Sequence, residues 1–325
     1  MAPGELSEAT CCLKNFNENL IVGFEGNEDA GVYKINNELA LVQTVDFITP
    51  VIDDPFIFGQ IAAANSLSDI FAMGGEVKTA LNLIGFDNKN HKKEVLTEIL
   101  KGGESKVNEC GGIIAGGHTI ETVEMLYGLS VTGFISPDNI FRNNTIKEGD
   151  VIILTKPIGT GVLTTGIKAD LVSEKTVTEI AKSMITLNYK ASQIARTFKI
   201  SACTDVTGFG LLGHLYEMSG EKFTIEVNFD NIPFFQEAFT HASMGIIPSG
   251  SYANKEYLKN KISAVKKLTF EEDILLYDPQ TSGGLLIAVN EKSSEKIIRN
   301  LTDEGIIASI IAVVTNFSDT FIKIK

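Results

Sequence analysis

The sequence predicts a two-domain protein of mixed strands and helices. Three observations carry that expectation. The chain has 325 residues, room for two ordinary domains, and its 44% hydrophobic and 21% charged residues are a normal globular balance. Strand-like runs and runs with helical periodicity alternate in both halves. One polar, proline-containing stretch, SPDNIFRNNTIKEGD at 136–150, separates them. The expected domains are therefore residues 1–138 and 150–325.

The elements follow in order. Residues 3–19 read as a short helix with a polar exit, carrying Cys11 and Cys12. Leu20–Val22 reads as a strand, Gly23 to Asp29 as a polar turn, and Gly31–Ile35 as the return strand. LALV at 39–42 feeds a strand through Thr44 and Val45 to Asp46. A helix follows, because Ile57, Ile61, Ala64, Leu67 and Phe71 recur at helical spacing, with Gly74 and Gly75 as its stop. Residues 78–85 read as a strand and 91–109 as an amphipathic helix. GGIIAGGHTIE at 111–121 sets a short strand between glycine pairs, and LYGLSVTGFI at 126–135 is another strand. VIILTKPIGTG at 151–161 opens the second half as a buried strand ending in a Pro/Gly turn. Helices cover 174–198, and one begins near Leu211. DPQTSGGLLIAV at 278–289 is a turn into a strand, 291–305 a helix, and 306–314 and 319–324 closing strands.

Composition excludes several classes. A net charge of −13 argues against a nucleic-acid or anionic-membrane partner; a polyphosphate would need bridging metal ions. Cys11, Cys12, Cys110 and Cys203 lack the spacing of a zinc site, and a chain of this size needs no disulfide staples. No charged start with an apolar run marks a signal peptide, and the apolar run at 306–314 is too short for a bilayer. A cytoplasmic protein is the expectation. No GxxxxGK[ST] loop and no correctly placed GxGxxG occur.

The chemistry is expected in the stretch 44–75. Between Ile35 and Val77 there is no Lys or Arg, yet Glu38, Asp46, Asp53, Asp54, Asp69 and Glu76 are present. Carboxylates gathered this way resist ionising together unless something positive lies between them. A divalent metal can do that, and Mg²⁺ takes oxygen ligands, usually shared with phosphates. Asn65 and Asp69, four apart, can point at one place. A solvated acidic surface is the plainer alternative. His118, after Gly117, is either a ligand contact or a structural turn histidine. Asp205, before the turn Gly208–Gly210, either holds a metal against phosphates or caps the following helix.

Together these segments resemble the selenophosphate synthetase (selenide, water dikinase) family. The matching pieces are NEDAGVY at 27–33, residues 44–75, AGGHTIE at 115–121, LTKPIGTGVLTT at 154–165, TDVTGFGLLGHL at 204–215 and DPQTSGGLL at 278–286. The wider superfamily includes aminoimidazole ribonucleotide (AIR) synthetase, thiamine-monophosphate kinase and a hydrogenase-maturation protein. The resemblance implies a two-domain α+β fold like that of AIR synthetase, with an N-terminal mixed sheet that forms a β-barrel across a homodimer, and a C-terminal α/β sandwich. It implies ATP-dependent phosphorylation of selenide, giving selenophosphate, orthophosphate and AMP. It assigns Mg²⁺ to Asp29, Asp69 and Asp205, and nucleotide contacts to Gly26, Asn27, Glu28, Asp46, Asp69, Gly117, His118 and Thr119.

One departure touches catalysis. The family carries a glycine-rich loop with a reactive Cys or selenocysteine and a Lys, just before the segment matching APGELSEAT. These 325 residues lack it, so no catalytic residue is assigned; Cys11, Cys12 and Lys14 lie after the matching point. The expectation is that nucleotide binding and dimerisation persist while selenide-dependent AMP formation is severely reduced. A non-catalytic dimeric ATP-binding protein and another superfamily kinase, such as a thiamine-monophosphate kinase, stay open.

Overall fold

The computed structural model describes residues 17–23 and 27–325. Gly26, Cys11, Cys12 and Lys14, and all but the end of the helix expected at 3–19, lie outside them. Contacts divide the described chain into two compact units. One comprises Glu18–Ile140 with Ile167–Ser192; the other comprises Phe141–Gly166 with Gln193–Lys325.

The first unit is built on a six-stranded sheet in the order β1-β2-β3-β6-β4-β5. Its strands are β1 (Leu20–Val22), β2 (Gly31–Lys34), β3 (Ala40–Ile48), β4 (Glu76–Phe86), β5 (Ile113–Glu121) and β6 (Leu126–Ile135). Only the β4–β5 pair is parallel, and the intervening helix α2 (Lys93–Glu109) makes that crossover. The first helix, α1 (Pro55–Ala72), starts where Asp54 accepts a hydrogen bond from the Ile57 amide at 2.9 Å and Pro55 presets the first turn.

Burial of α1 exceeds the stripe its periodicity predicts. Ile61, Leu67 and Phe71 are buried, and so are Ala62, Ala63, Asn65, Ser66 and Ser68. The reason is that the sheet is only one of its neighbours. It lies on β3 and β6 and also packs against α2 and a later helix, α4 (Glu174–Ile185), which follows α3 (Thr160–Ile167). Two glycines permit the α1–α2 approach: a Cβ on Gly59 would lie 2.0 Å from the Ile99 carbonyl oxygen, and one on Gly102 would lie 2.1 Å from that of Phe56. Helix α5 (Tyr189–Ala195) and the residue before it fasten this layer. Asn188 donates to Ser68 at 2.8 Å, Ser192 donates to the Phe71 carbonyl at 2.6 Å, and Tyr189 packs on Phe71.

The helices cover one face of the sheet. Cross-strand register puts Val45, Ser130 and Leu81 in one row of the other face, and Phe47, Gly128, Leu83 and His118 in the next. That face is exposed and apolar: Val45 is 61% accessible, Phe47 54%, Leu81 43% and Ile120 51%.

The second unit holds a seven-stranded sheet, ordered β10-β13-β9-β12-β7-β11-β8. Its strands are β7 (Asp150–Leu154), β8 (Ile200–Asp205), β9 (Phe223–Val227), β10 (Ile262–Ala264), β11 (Leu285–Asn290), β12 (Ser309–Asn316) and β13 (Ile322–Ile324). The unbroken apolar runs of β7 and β11 are buried on both faces, as a strand between two helical layers must be. Ile152, Leu154, Leu286 and Ala288 join the core with Leu211, Leu212 and Leu215 of helix α6 (Gly210–Ser219). The remaining helices are α7 (Gln236–Ser243), α8 (Ser249–Tyr257), α9 (Phe270–Leu275) and α10 (Glu291–Asp303), and α10 packs against β7 and β11.

Candidate metal and nucleotide site

In the first unit the site is written by two periodicities that match. Thr44 and Asp46 alternate on β3, so both face the helical layer. Asn65 and Asp69 lie one turn apart on α1. Two strand residues advance about 6.8 Å and four helical residues about 6 Å, so the pairs stay in step. Asn65 donates to Asp46 Oδ2, and Thr44 donates to Asp69 Oδ2. Asp46 Oδ1 also accepts from the Phe47 amide at 3.0 Å. Ser66 locks the frame: its hydroxyl donates to the Asp46 carbonyl at 2.9 Å and accepts from the Leu129 amide at 3.1 Å.

Asp29, on the turn before β2, brings a carboxylate oxygen within 4.8 Å of one from Asp69. Two carboxylates at that distance repel by about 3 kcal/mol at an effective dielectric of 20. A divalent cation between them would offset this, and oxygens sharing one Mg²⁺ sit roughly 3–4 Å apart. The donor set is all hard oxygen, so the residues fit Mg²⁺. Asn27, next to Glu28 and Asp29, has φ +50°, the left-handed region Asn tolerates, which turns this acidic segment back toward β2.

Gly117, His118 and Thr119 lie on exposed edge strand β5. Register puts Asp46, Leu129, Asn82 and Gly117 in one cross-strand row. Two strands separate Asp46 from Gly117, roughly 14 Å, so within one chain they do not touch. A Cβ at Gly117 would lie 2.4 Å from the Asn82 carbonyl oxygen, so the β4–β5 pair needs glycine there. His118 is on the uncovered face beside Leu83, rather than in a buried turn.

In the second unit Asp205 ends β8 and is 1% exposed. It does not cap α6: that helix starts at Gly210 behind Phe209, with no side-chain cap. The turn at Pro157–Gly161 is occupied from within the chain. Gln280 Oε1 accepts from the amides of Gly159 at 2.9 Å and Thr160 at 3.1 Å, and Asp278 accepts from the Gly161 amide at 2.9 Å. These are the donors with which a glycine-rich turn would otherwise hold a phosphate. Burial pushes the Asp278 carboxyl up to about 7, against the lowering pull of the Val162 amide, the Gln280 side chain and the Gly161 amide. Lys156, also buried, donates to the Ser282 carbonyl at 2.8 Å, across the glycine pair that enters β11.

Thr44, Ser66, Asp278 and Gln280 are the residues the sequence reading missed. The β3 alternation carried the signal for Thr44, and DPQTSGG carried it for Asp278 and Gln280.

The family model for the AIR synthase related protein N-terminal domain matches residues 27–135, and that for the C-terminal domain matches 147–325. A selenide, water dikinase of Aliarcobacter butzleri is 52% identical over 303 residues, 93% of this chain and 88% of that protein. One of Clostridium botulinum (strain Eklund 17B / Type B) is 46% identical over 327 residues, 100% of this chain and 94% of its own. Among solved structures, the thiamine-monophosphate kinase of Stenotrophomonas maltophilia superposes with a TM-score of 0.69 at 14% identity, over 99% of this chain and 95% of that one. The hydrogenase maturation protein HypE in complex with ATP gives 0.67 at 16%, over 86% and 77%. The two structures share the fold. The chain belongs to the selenide, water dikinase family of AIR synthase related proteins.

Proposed function

We propose that this chain phosphorylates selenide at the expense of ATP: selenide, ATP and water give selenophosphate, AMP and orthophosphate. The observation that carries the reading is identity of about half the residues, over nearly the whole length, to proteins named selenide, water dikinase. The paired carboxylates of Asp29 and Asp69, framed by Thr44, Asp46 and Asn65, support it. They suit a reaction whose catalysis is mainly positioning and charge neutralisation of a loose phosphoryl transition state.

In this reading Asp29, Asp69 and Asp205 hold Mg²⁺, which neutralises phosphate oxygens when bound. Gly26, Asn27, Glu28, Asp46, Asp69, Gly117, His118 and Thr119 contact the nucleotide. The protein works in the cytoplasm as a homodimer through the uncovered face of the first sheet. Among the described residues no helix is long and apolar enough to cross a membrane.

The test is ³¹P NMR of Mg-ATP with selenide, run on these 325 residues and on a version carrying the family's Gly/Cys/Lys loop upstream. Selenophosphate, AMP and orthophosphate in equal amounts are expected from the loop-bearing version, and the same products at a severely reduced rate from these 325 residues. ADP formation with thiamine monophosphate, and no selenide-dependent AMP in either version, would overturn the reading.

A further inference from the structure

The turn that leaves β8 at Asp205 is fastened by hydrogen bonds within the second unit. The Val206 amide donates to the Gly284 carbonyl at 2.9 Å, and the Gln280 amide donates to that of Thr207 at 2.9 Å. Any residues could make these two backbone bonds. Two others need side chains: Asn254 Nδ2 donates to the Gly208 carbonyl at 2.9 Å, and the Thr207 amide donates to His214 Nε2 at 3.1 Å. His214 is buried in α6 and stacks on Phe209, with ring centroids 5.7 Å and planes 28° apart. A backbone amide has only a proton to give, so Nε2 bears the lone pair and the ring proton is at Nδ1. Nδ1 lies 3.3 Å from Glu217 Oε2, within ion-pair distance but not in hydrogen-bonding geometry. The proposed phosphoryl transfer makes no other use of this imidazole.

We infer that His214 is a positioning residue for Asp205: its Nε2 lone pair holds the Thr207 amide and so fixes the turn on which the Asp205 carboxylate stands. The inference rests on Asp205 being a metal ligand. Replacing the ring separates its two nitrogens. His214→Gln carries an amide oxygen near the Nε2 position and can still accept from Thr207. His214→Asn carries its amide near Nδ1, out of reach of that N–H.

Equilibrium dialysis with labelled ATP reads the Mg²⁺ concentration that gives half-maximal nucleotide binding. It rises roughly ten- to a hundredfold in His214→Asn, as for loss of a group that orients a metal ligand, and stays within roughly threefold of wild type in His214→Gln. Urea unfolding of both variants separates this from loss of the fold. Wild-type behaviour of His214→Asn, or equal impairment of a folded His214→Gln, overturns the inference. Asp205→Asn is the control: if its Mg²⁺ requirement is unchanged, the metal-ligand reading fails, and this inference with it. Independently of any variant, ¹⁵N NMR of the wild-type ring is expected to show the Nδ1–H tautomer; the Nε2–H tautomer overturns the proposal.

Discussion

At the residue scale, Asp69 joins two networks: it accepts from Thr44 and stands within 4.8 Å of Asp29. Asp69→Asn keeps an acceptor for Thr44 and the side-chain shape but removes one negative charge. Mg-ATP binding is expected to weaken by at least about tenfold, about 1.4 kcal/mol, while stability in the absence of metal is retained or slightly raised by relief of the repulsion. Calorimetric titration of ATP with Mg²⁺ and then with chelator checks this; equal affinities in the two conditions would remove the metal from the account. Asn65→Ala acts differently. It takes the amide donor from Asp46 and leaves that carboxylate oxygen half-buried, at a cost of about 1–3 kcal/mol. Chemical denaturation is expected to show a lower midpoint for Asn65→Ala and a near-wild-type midpoint for Asp69→Asn.

At the element scale, the α1–α2 crossing sets two glycine effects against each other. Replacing glycine by alanine in a helix interior usually stabilises by about 1 kcal/mol. At Gly102 the new Cβ would fall 2.1 Å from a backbone oxygen, and backbone cannot step aside as a side-chain tip can. Overpacking of about 1–3 kcal/mol or more therefore wins, and Gly102→Ala is expected to lower the urea midpoint. The Asp278 cap on α3 gives a pH dependence. Below about pH 4 its carboxyl is protonated in both folded and unfolded chains. From there to about 7 the folded chain keeps a proton the unfolded chain has lost, so stability falls as pH rises, by up to about 4 kcal/mol. Asp278→Asn removes that component. Its unfolding free energy relative to wild type is expected to improve between pH 5 and pH 8; an unchanged difference would mean that Asp278 is ionised throughout.

The same scale shows what the sequence could express. Asp46, Asn65 and Asp69 were legible because each sits at a repeat position of its element, and β7 and β11 because a fully buried strand has no polar side to alternate. The α1 burial was not legible, since periodicity reports one covering partner and this helix is packed by the sheet and by several helices. Nor was the attachment of Ile167–Ser192 to the first unit, because it rests on Asn188 and Ser192 reaching Ser68 and Phe71 across some 120 residues of chain. The occupied turn at Pro157–Gly161 was hidden likewise: its glycines look like a phosphate cradle until Asp278 and Gln280 arrive from the far end of the chain.

At the scale of the whole molecule, the uncovered face of the first sheet sets the last prediction. Its residues are not isolated surface apolars, which are common and mean little. Val45 and Leu81 flank Ser130 in one row, and Phe47 lies beside Gly128, with Leu83 beyond it, in the next. A contiguous apolar surface of this kind on a six-stranded sheet is an association surface. The expected assembly is a symmetric dimer, because a two-fold axis lets one patch cover itself and close. Full burial of Phe47 would contribute about 1.5–3 kcal/mol on each side, and a lysine there would face its own symmetry mate or the apolar patch opposite. Sedimentation at micromolar concentration is therefore expected to show a dimer for the wild type and a monomer, or at least a hundredfold weaker dimer, for Phe47→Lys. Substitution at Val313, an exposed apolar position of the second unit, should leave the dimer intact. A wild-type monomer at that concentration, or a dimer indifferent to Phe47→Lys, would show that this face is covered by something other than a second copy.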